Sequence, residues 1–166
     1  MIKIGERIPD ATLTESTEFG EACPVAPKQV SVAAAAAGKR IVLFGLPGAY
    51  TPTCSAKHVP GYLHHLAGLR AKKVDEVWCI AVNDGYVMAA WGREQKAIGL
   101  LRMLGDGNGE LARKLGLEVD LSKGGLGIRM QRFSMLLDDG VVRQLNVEAP
   151  GKFEVSDAAT MLRQLS

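Results

Sequence analysis

The sequence predicts an α/β protein with a central mixed sheet flanked by helices. Three observations carry that reading. Two short apolar runs of strand length, 39–46 and 76–83, are separated by a stretch with helical apolar spacing. An Asp-Gly pair then sits between two further apolar runs, the strongest short-range signal for a hairpin. Strands separated by helices need crossovers and favour parallel pairing, while a hairpin adds an antiparallel edge.

In order, the chain opens with an extended region. The tract Ala33 to Ala37 has high helix propensity and is closed by Gly38. Lys39-Arg-Ile-Val-Leu-Phe-Gly-Leu46 reads as a buried strand. From about Pro52 to Lys72, Val59, Tyr62, Leu63, Leu66 and Leu69 recur at three- and four-residue spacing and predict a helix, kinked at Pro60. Glu76 to Asn83 is a second strand, Val87 to Leu101 a second helix, and Leu104 to Gly109 a strand end and turn. Glu110 to Leu117 is a short helix. Arg132 to Leu137 and Val141 to Val147 form the hairpin around Asp138-Asp-Gly140, and Ser156 to Leu165 a closing helix capped by Ser156 or Asp157. The order fits a thioredoxin-like sandwich. With no internal repeat and no linker, residues 1–166 are expected to form one domain.

Composition narrows the function classes. With 166 residues, 47% of them hydrophobic, the chain can bury a core without disulfides. Twenty Lys and Arg against 18 Asp and Glu give a net charge of +2, and electrostatics make no case for nucleic acid or a membrane surface. No apolar stretch reaches the roughly 18 residues of a membrane span. Three cysteines are too few for a disulfide scaffold and suit a reduced compartment, so a cytoplasmic protein is expected. The first residues show neither the apolar core of a secretory signal nor a transit composition.

The chemistry concentrates in Leu46-Pro-Gly-Ala-Tyr-Thr-Pro-Thr-Cys-Ser55. Thr51 can cap a helix, Pro52 suits its first position, and Cys54 then falls at the third. There a cysteine meets unpaired N–H groups and the positive end of the helix dipole, which favour the nucleophilic thiolate. Thr51 and Cys54, three apart, can face one another. The loop also lies beyond the carboxyl end of a strand, a favoured place for ligands.

This segment resembles the peroxiredoxin pattern Pro-x-x-x-Thr-x-x-Cys, met by Pro47, Thr51 and Cys54. With His58-Val-Pro-Gly-Tyr62, Ala81-Val-Asn-Asp84, Trp91-Gly92 and Arg132-Phe-Ser-Met135, it is similar to the type II, or peroxiredoxin-5, subfamily over nearly the whole chain. The resemblance is weakest from Thr14 to Val30 and after Pro150. It implies a thiol peroxidase acting on hydrogen peroxide and small alkyl hydroperoxides. Cys54 is then the peroxidatic cysteine, oxidised to sulfenic acid. Thr51 supplies a hydroxyl to thiolate and peroxide, Arg132 a guanidinium that stabilises developing charge, and Pro47 a shield from bulk water. Neither a metal nor an organic cofactor is implied, and a homodimer is.

The remaining cysteines bear on recycling. Cys79, in an apolar run, reads as a small core residue, although its position matches a cysteine proposed to assist resolution in some type II members. Cys23 reads as an ordinary loop residue. Members that form an intramolecular disulfide carry a resolving cysteine near the C-terminus, and here Val155 falls roughly in its place. The expected reductant is therefore an external thiol, glutathione with glutaredoxin or thioredoxin.

Rival readings fit less well. Cys54 and His58 form Cys-x3-His, but no second cysteine lies near enough for a structural zinc site. His58, one turn beyond Cys54, could serve as its base, and a structural or loop-tethering histidine is the simpler reading. The glycines of Gly105 to Gly109 and Gly124 to Gly127 lack phosphate-loop spacing. A disulfide oxidoreductase wants Cys-x-x-Cys, of which Thr51-Pro-Thr-Cys54 supplies only the second position. A peroxide-responsive sensor without significant turnover would use the same residues as a peroxidase.

Overall fold

The computed structural model describes residues 1–165. The elements run β1 Thr12–Glu15, β2 Glu18–Phe19, β3 Pro24–Val25, β4 Lys28–Ser31, α1 Val32–Ala36 and β5 Arg40–Gly45. A π-turn, Cys54–His58, leads into α2 Val59–His64 and α3 Leu66–Ala71. Then come β6 Glu76–Ala81, α4 Gly85–Glu94, β7 Arg102–Gly105, α5 Glu110–Leu115, β8 Glu118–Asp120 and β9 Ile128–Met130. The chain closes with β10 Phe133–Asp138, β11 Val141–Val147 and α6 Ala158–Gln164.

Seven strands form one mixed sheet in the order β11-β10-β5-β6-β7-β1-β4. β5, β6 and β7 are parallel, and the flanking pairings are antiparallel. Both faces are covered, which is why β5 reads as a continuous apolar run. The period-two alternation splits it cleanly: Val42 and Phe44 face a core with Tyr62, Trp91 and Met161, while Ile41 and Leu43 face one with Trp78, Leu104 and Met135. This is a thioredoxin-like fold. The hairpin turn uses Asp139 at φ 47° and Gly140 at φ 76°, the left-handed pair that a two-residue turn demands.

Three expectations are corrected. The helix expected over 87–101 starts earlier and stops sooner. Asp84 caps it by accepting from the Val87 N–H, and it ends at Glu94, before Lys96 turns to φ 57°. Ala97 and Leu101 prolong the apolar spacing because their own side chains pack into the core from a loop that is otherwise largely exposed. The N-terminal region is not merely extended but supplies β1 and β4 to the sheet edge. Finally, the irregularity around Pro60 is a widened turn ahead of it, with the Val59 N–H bonded to the Cys54 carbonyl. Pro60 has no N–H to offer and its ring crowds the preceding turn, so the helix takes up the misfit one turn earlier. At the other end, Asp157 rather than Ser156 caps α6, accepting from the Thr160 N–H.

Candidate active site

β5 delivers the chain to the site at its carboxyl end. From Pro47 to Thr51 the loop is held at three points. Arg129 Nη1 donates to the Pro47 carbonyl at 3.0 Å, the Ala49 N–H donates to Asn83 Oδ1 at 2.9 Å, and the Thr51 hydroxyl donates to the Gly48 carbonyl at 2.7 Å. Gly48 lets the Arg129 guanidinium approach this closely, because a Cβ there would displace it. Pro52 begins the helix and Cys54 is its third residue, fully buried.

Arg132 comes from the far side of the sequence through strand register. Phe133 pairs with Gly45, so the residue before β10 lies beside the loop that follows β5. Gly45 makes that pairing close, since a Cβ there would strike the Phe133 ring and come 2.6 Å from Met130 Sδ. From this position Arg132 Nη2 donates to Cys54 Sγ at 3.1 Å, and Nη1 donates to His58 Nδ1 at 2.9 Å.

His58 is buried among Phe44, Tyr62 and Phe153, and its Nε2 lies 3.1 Å from the Ser156 carbonyl. A carbonyl only accepts, so Nε2 carries the proton and Nδ1 presents its lone pair to Arg132. Both partners therefore demand the same neutral tautomer. Burial, with the Arg132 cation beside it, pushes the imidazole down to about 3. A ring so weakly basic is a tether rather than a base for Cys54. Tyr62, stacked on Phe44 with centroids 4.1 Å apart, donates to the same Ser156 carbonyl at 3.0 Å.

Of the residues singled out in the sequence, Cys54 and Arg132 are in direct contact. Pro47 and Arg132 both line an adjoining cleft of about 530 Å³, walled also by Val119, Leu121, Pro150 and Phe153. Thr51 belongs to the same turn, but its side chain does not cap the helix. Its hydroxyl proton goes to Gly48, not to the sulfur. Cys79 is buried on β6, opposite Phe44, and Cys23 is exposed between β2 and β3. Sequence reasoning missed Arg129 and the part played by Asn83. For Asn83 the Ala81-Val-Asn-Asp84 segment was the available signal. For Arg129 the only hint was the glycine at 48.

Residues 3–162 match the redoxin family. Peroxiredoxin-2B of Arabidopsis thaliana is 44% identical over 164 residues, covering 99% of this chain and 98% of its own. The chain belongs to the peroxiredoxin family. Peroxiredoxin Prx3 of Vibrio vulnificus, solved reduced and with hydrogen peroxide, is 46% identical, with a TM-score of 0.92 over 100% of both chains. A Burkholderia cenocepacia protein provisionally described as a thioredoxin reductase superposes with a TM-score of 0.95 at 53% identity, covering 100% of this chain and 99% of its own. Thioredoxin-type dithiol exchange uses Cys-x-x-Cys, and here Thr51 stands at its first position, so the peroxiredoxin relatives account for this site better. The type II, peroxiredoxin-5-like subfamily fits both the plant relatives and the motif. This peroxiredoxin is a thiol-dependent peroxidase.

Proposed function

We propose that the Cys54 thiolate attacks one oxygen of hydrogen peroxide or a small alkyl hydroperoxide and is regenerated by an external thiol. An S–O bond forms as the O–O bond breaks. Sulfur is oxidised to sulfenic acid, and the departing oxygen leaves as water or an alcohol after taking the peroxide's proton. The observation that carries this reading is the Arg132 donor 3.1 Å from a buried sulfur in a helix's first turn. That donor is already in place where charge moves from sulfur to oxygen, and preorganised donors lower such barriers without reorganising. Pro47 walls the sulfur from bulk water, and the Thr51 hydroxyl, its proton committed to Gly48, offers lone pairs to the peroxide O–H.

Glutathione with glutaredoxin, or thioredoxin, then attacks the sulfenic acid sulfur, releasing water. The resulting mixed disulfide is opened by a second thiol. Two features favour an outside reductant. Burial, followed by the proximity of Cys54, raises the Cys79 thiol well above its ordinary value, which keeps it protonated and a poor nucleophile. By the subfamily likeness, Val155 falls roughly where members that form an intramolecular disulfide carry a resolving cysteine. We further assign the protein to the cytoplasm, consistent with three free cysteines, and to a homodimer, on the subfamily likeness.

The deciding experiment treats reduced protein with one equivalent of hydrogen peroxide and a sulfenic-acid trap, followed by peptide mapping. A trap adduct on Cys54 with no internal disulfide is expected. A disulfide from Cys54 to Cys79 or Cys23 would overturn the external-thiol cycle, and a Cys54 no faster than a free thiol would overturn its assignment as nucleophile.

A further inference from the structure

We propose that Glu148 is a positioning residue for Arg132, holding the guanidinium on the Cys54 sulfur through Ser156 and His58. The inference rests on the peroxidatic assignment of Cys54 and adds Glu148 to the site.

Glu148 follows β11 directly and is only 7% exposed, unusual for a glutamate with no basic partner among the described salt bridges. Its carboxylate is instead wrapped by backbone. The Glu154 N–H lies 2.9 Å from both oxygens, the Val155 N–H 2.9 Å and the Ser156 N–H 2.8 Å from Oε2, and the Ser156 hydroxyl donates at 2.7 Å. Three consecutive N–H groups closing on one anion form a nest, with the anion supplied by the chain itself. Burial alone would raise this carboxyl, but the Ser156 hydroxyl and the three N–H groups outweigh it and hold the group below its ordinary value.

The nest fixes the Ser156 peptide from one side, and the Asp157 cap of α6 fixes it from the other. The Ser156 carbonyl then fixes His58 Nε2, and His58 Nδ1 fixes Arg132 Nη1. The circuit closes through the backbone, where the Glu148 N–H donates to the Arg132 carbonyl at 3.0 Å. Glu148 thus holds Arg132 at both ends, by its main chain directly and by its side chain through two intermediaries. The guanidinium also lies over the Phe153 ring, 5.8 Å from Cζ to centroid. Phe153 is also carried by the loop that Glu148 ties down.

Glu148→Gln isolates the side-chain half of this circuit, since the amide keeps the backbone bond but places an NH2 against N–H donors. The variant, the wild type and a remote control, Glu21→Gln, are compared by stopped-flow oxidation with hydrogen peroxide. The ultraviolet thiolate absorbance is followed against pH, and the His58 ring nitrogens are read by NMR. In Glu148→Gln the second-order rate constant is expected to fall by roughly 10- to 100-fold, the loss a misplaced catalytic group produces. The thiolate absorbance should develop at higher pH, and His58 Nδ1 should lose its hydrogen-bonded signature. Glu21→Gln should match the wild type. Ser156→Ala, which removes one donor and leaves the backbone intact, should lower the rate by about threefold and covers the case in which Glu148→Gln does not fold. A wild-type rate and unchanged His58 signals in the folded variants would overturn the proposal. Should the wild-type Cys54 itself be slow with peroxide, the peroxidatic assignment would fail instead.

Discussion

Arg132 places one terminal nitrogen 3.1 Å from the Cys54 sulfur, across 78 residues of sequence. The register of β10 on β5 sets that distance, and the second terminal nitrogen is engaged by His58. A planar fork with both tips committed cannot swing away from the sulfur without losing two hydrogen bonds.

Arg132→Met should therefore lower the rate constant for Cys54 oxidation by roughly 100- to 1,000-fold, the scale seen when one preorganised donor is removed. Arg132→Lys should recover little of it, because a single ammonium cannot serve sulfur and imidazole with fork geometry. Stopped-flow fluorescence with hydrogen peroxide would measure both variants. A lysine variant at wild-type rate would reduce the role of Arg132 to bare charge.

The buried neutral His58 makes stability depend on pH. Its ring sits at about 3 when folded, against an ordinary value of 6.5. As pH falls below 6.5 the unfolded chain binds a proton that the folded chain refuses, so stability is full above that point and declines toward pH 3. At pH 5 the loss from this one group is about 2 kcal/mol. Urea unfolding at pH 7 and pH 5 should show that difference in the wild type, and His58→Gln should remove most of it. An identical pH dependence in the two proteins would mean that His58 ionises freely in the folded state.

The sheet centre was legible because β5, β6 and β10 are buried on both faces and so spell themselves as apolar runs. The edge was not. Thr12–Glu15 and Lys28–Ser31 are polar, partly exposed strands whose pairing depends on the neighbouring chain rather than on their own pattern. At the site, Cys54 announced itself by its place in a helix's first turn. Arg132 was reached only through family resemblance, since nothing in the spacing of two residues so far apart encodes a contact. Arg129 and Glu148 stayed hidden for a related reason. A surface-type residue becomes a tether only when folding brings a loop's carbonyls or N–H groups around it.

Gly48 and Arg129 should behave as one unit. Gly48→Ala places a methyl against the Arg129 guanidinium, the mobile end of a flexible side chain, so the fold should survive while the bond to the Pro47 carbonyl is lost. Peroxide reactivity should fall by up to about tenfold, from a loosened wall beside the sulfur. Arg129→Met should produce the same loss, and the double variant should be no worse than either alone. Additive losses in that cycle would show that the two residues act independently.

Thr51 offers the sharpest test of what a hydroxyl does here. Its proton goes to the Gly48 carbonyl at 2.7 Å, which ties the turn and leaves the lone pairs free. Thr51→Ser preserves both functions and should retain most of the activity. Thr51→Val keeps the shape but removes the tie, at a stability cost of about 1 kcal/mol, and it removes the acceptor for a peroxide proton. The rate should then fall by more than about tenfold, beyond what the stability change explains. If the valine and serine variants react equally fast, the hydroxyl has no part in the chemistry. If the valine variant is slow but recovers in the presence of a stabilising osmolyte, the tie to Gly48 is its whole contribution.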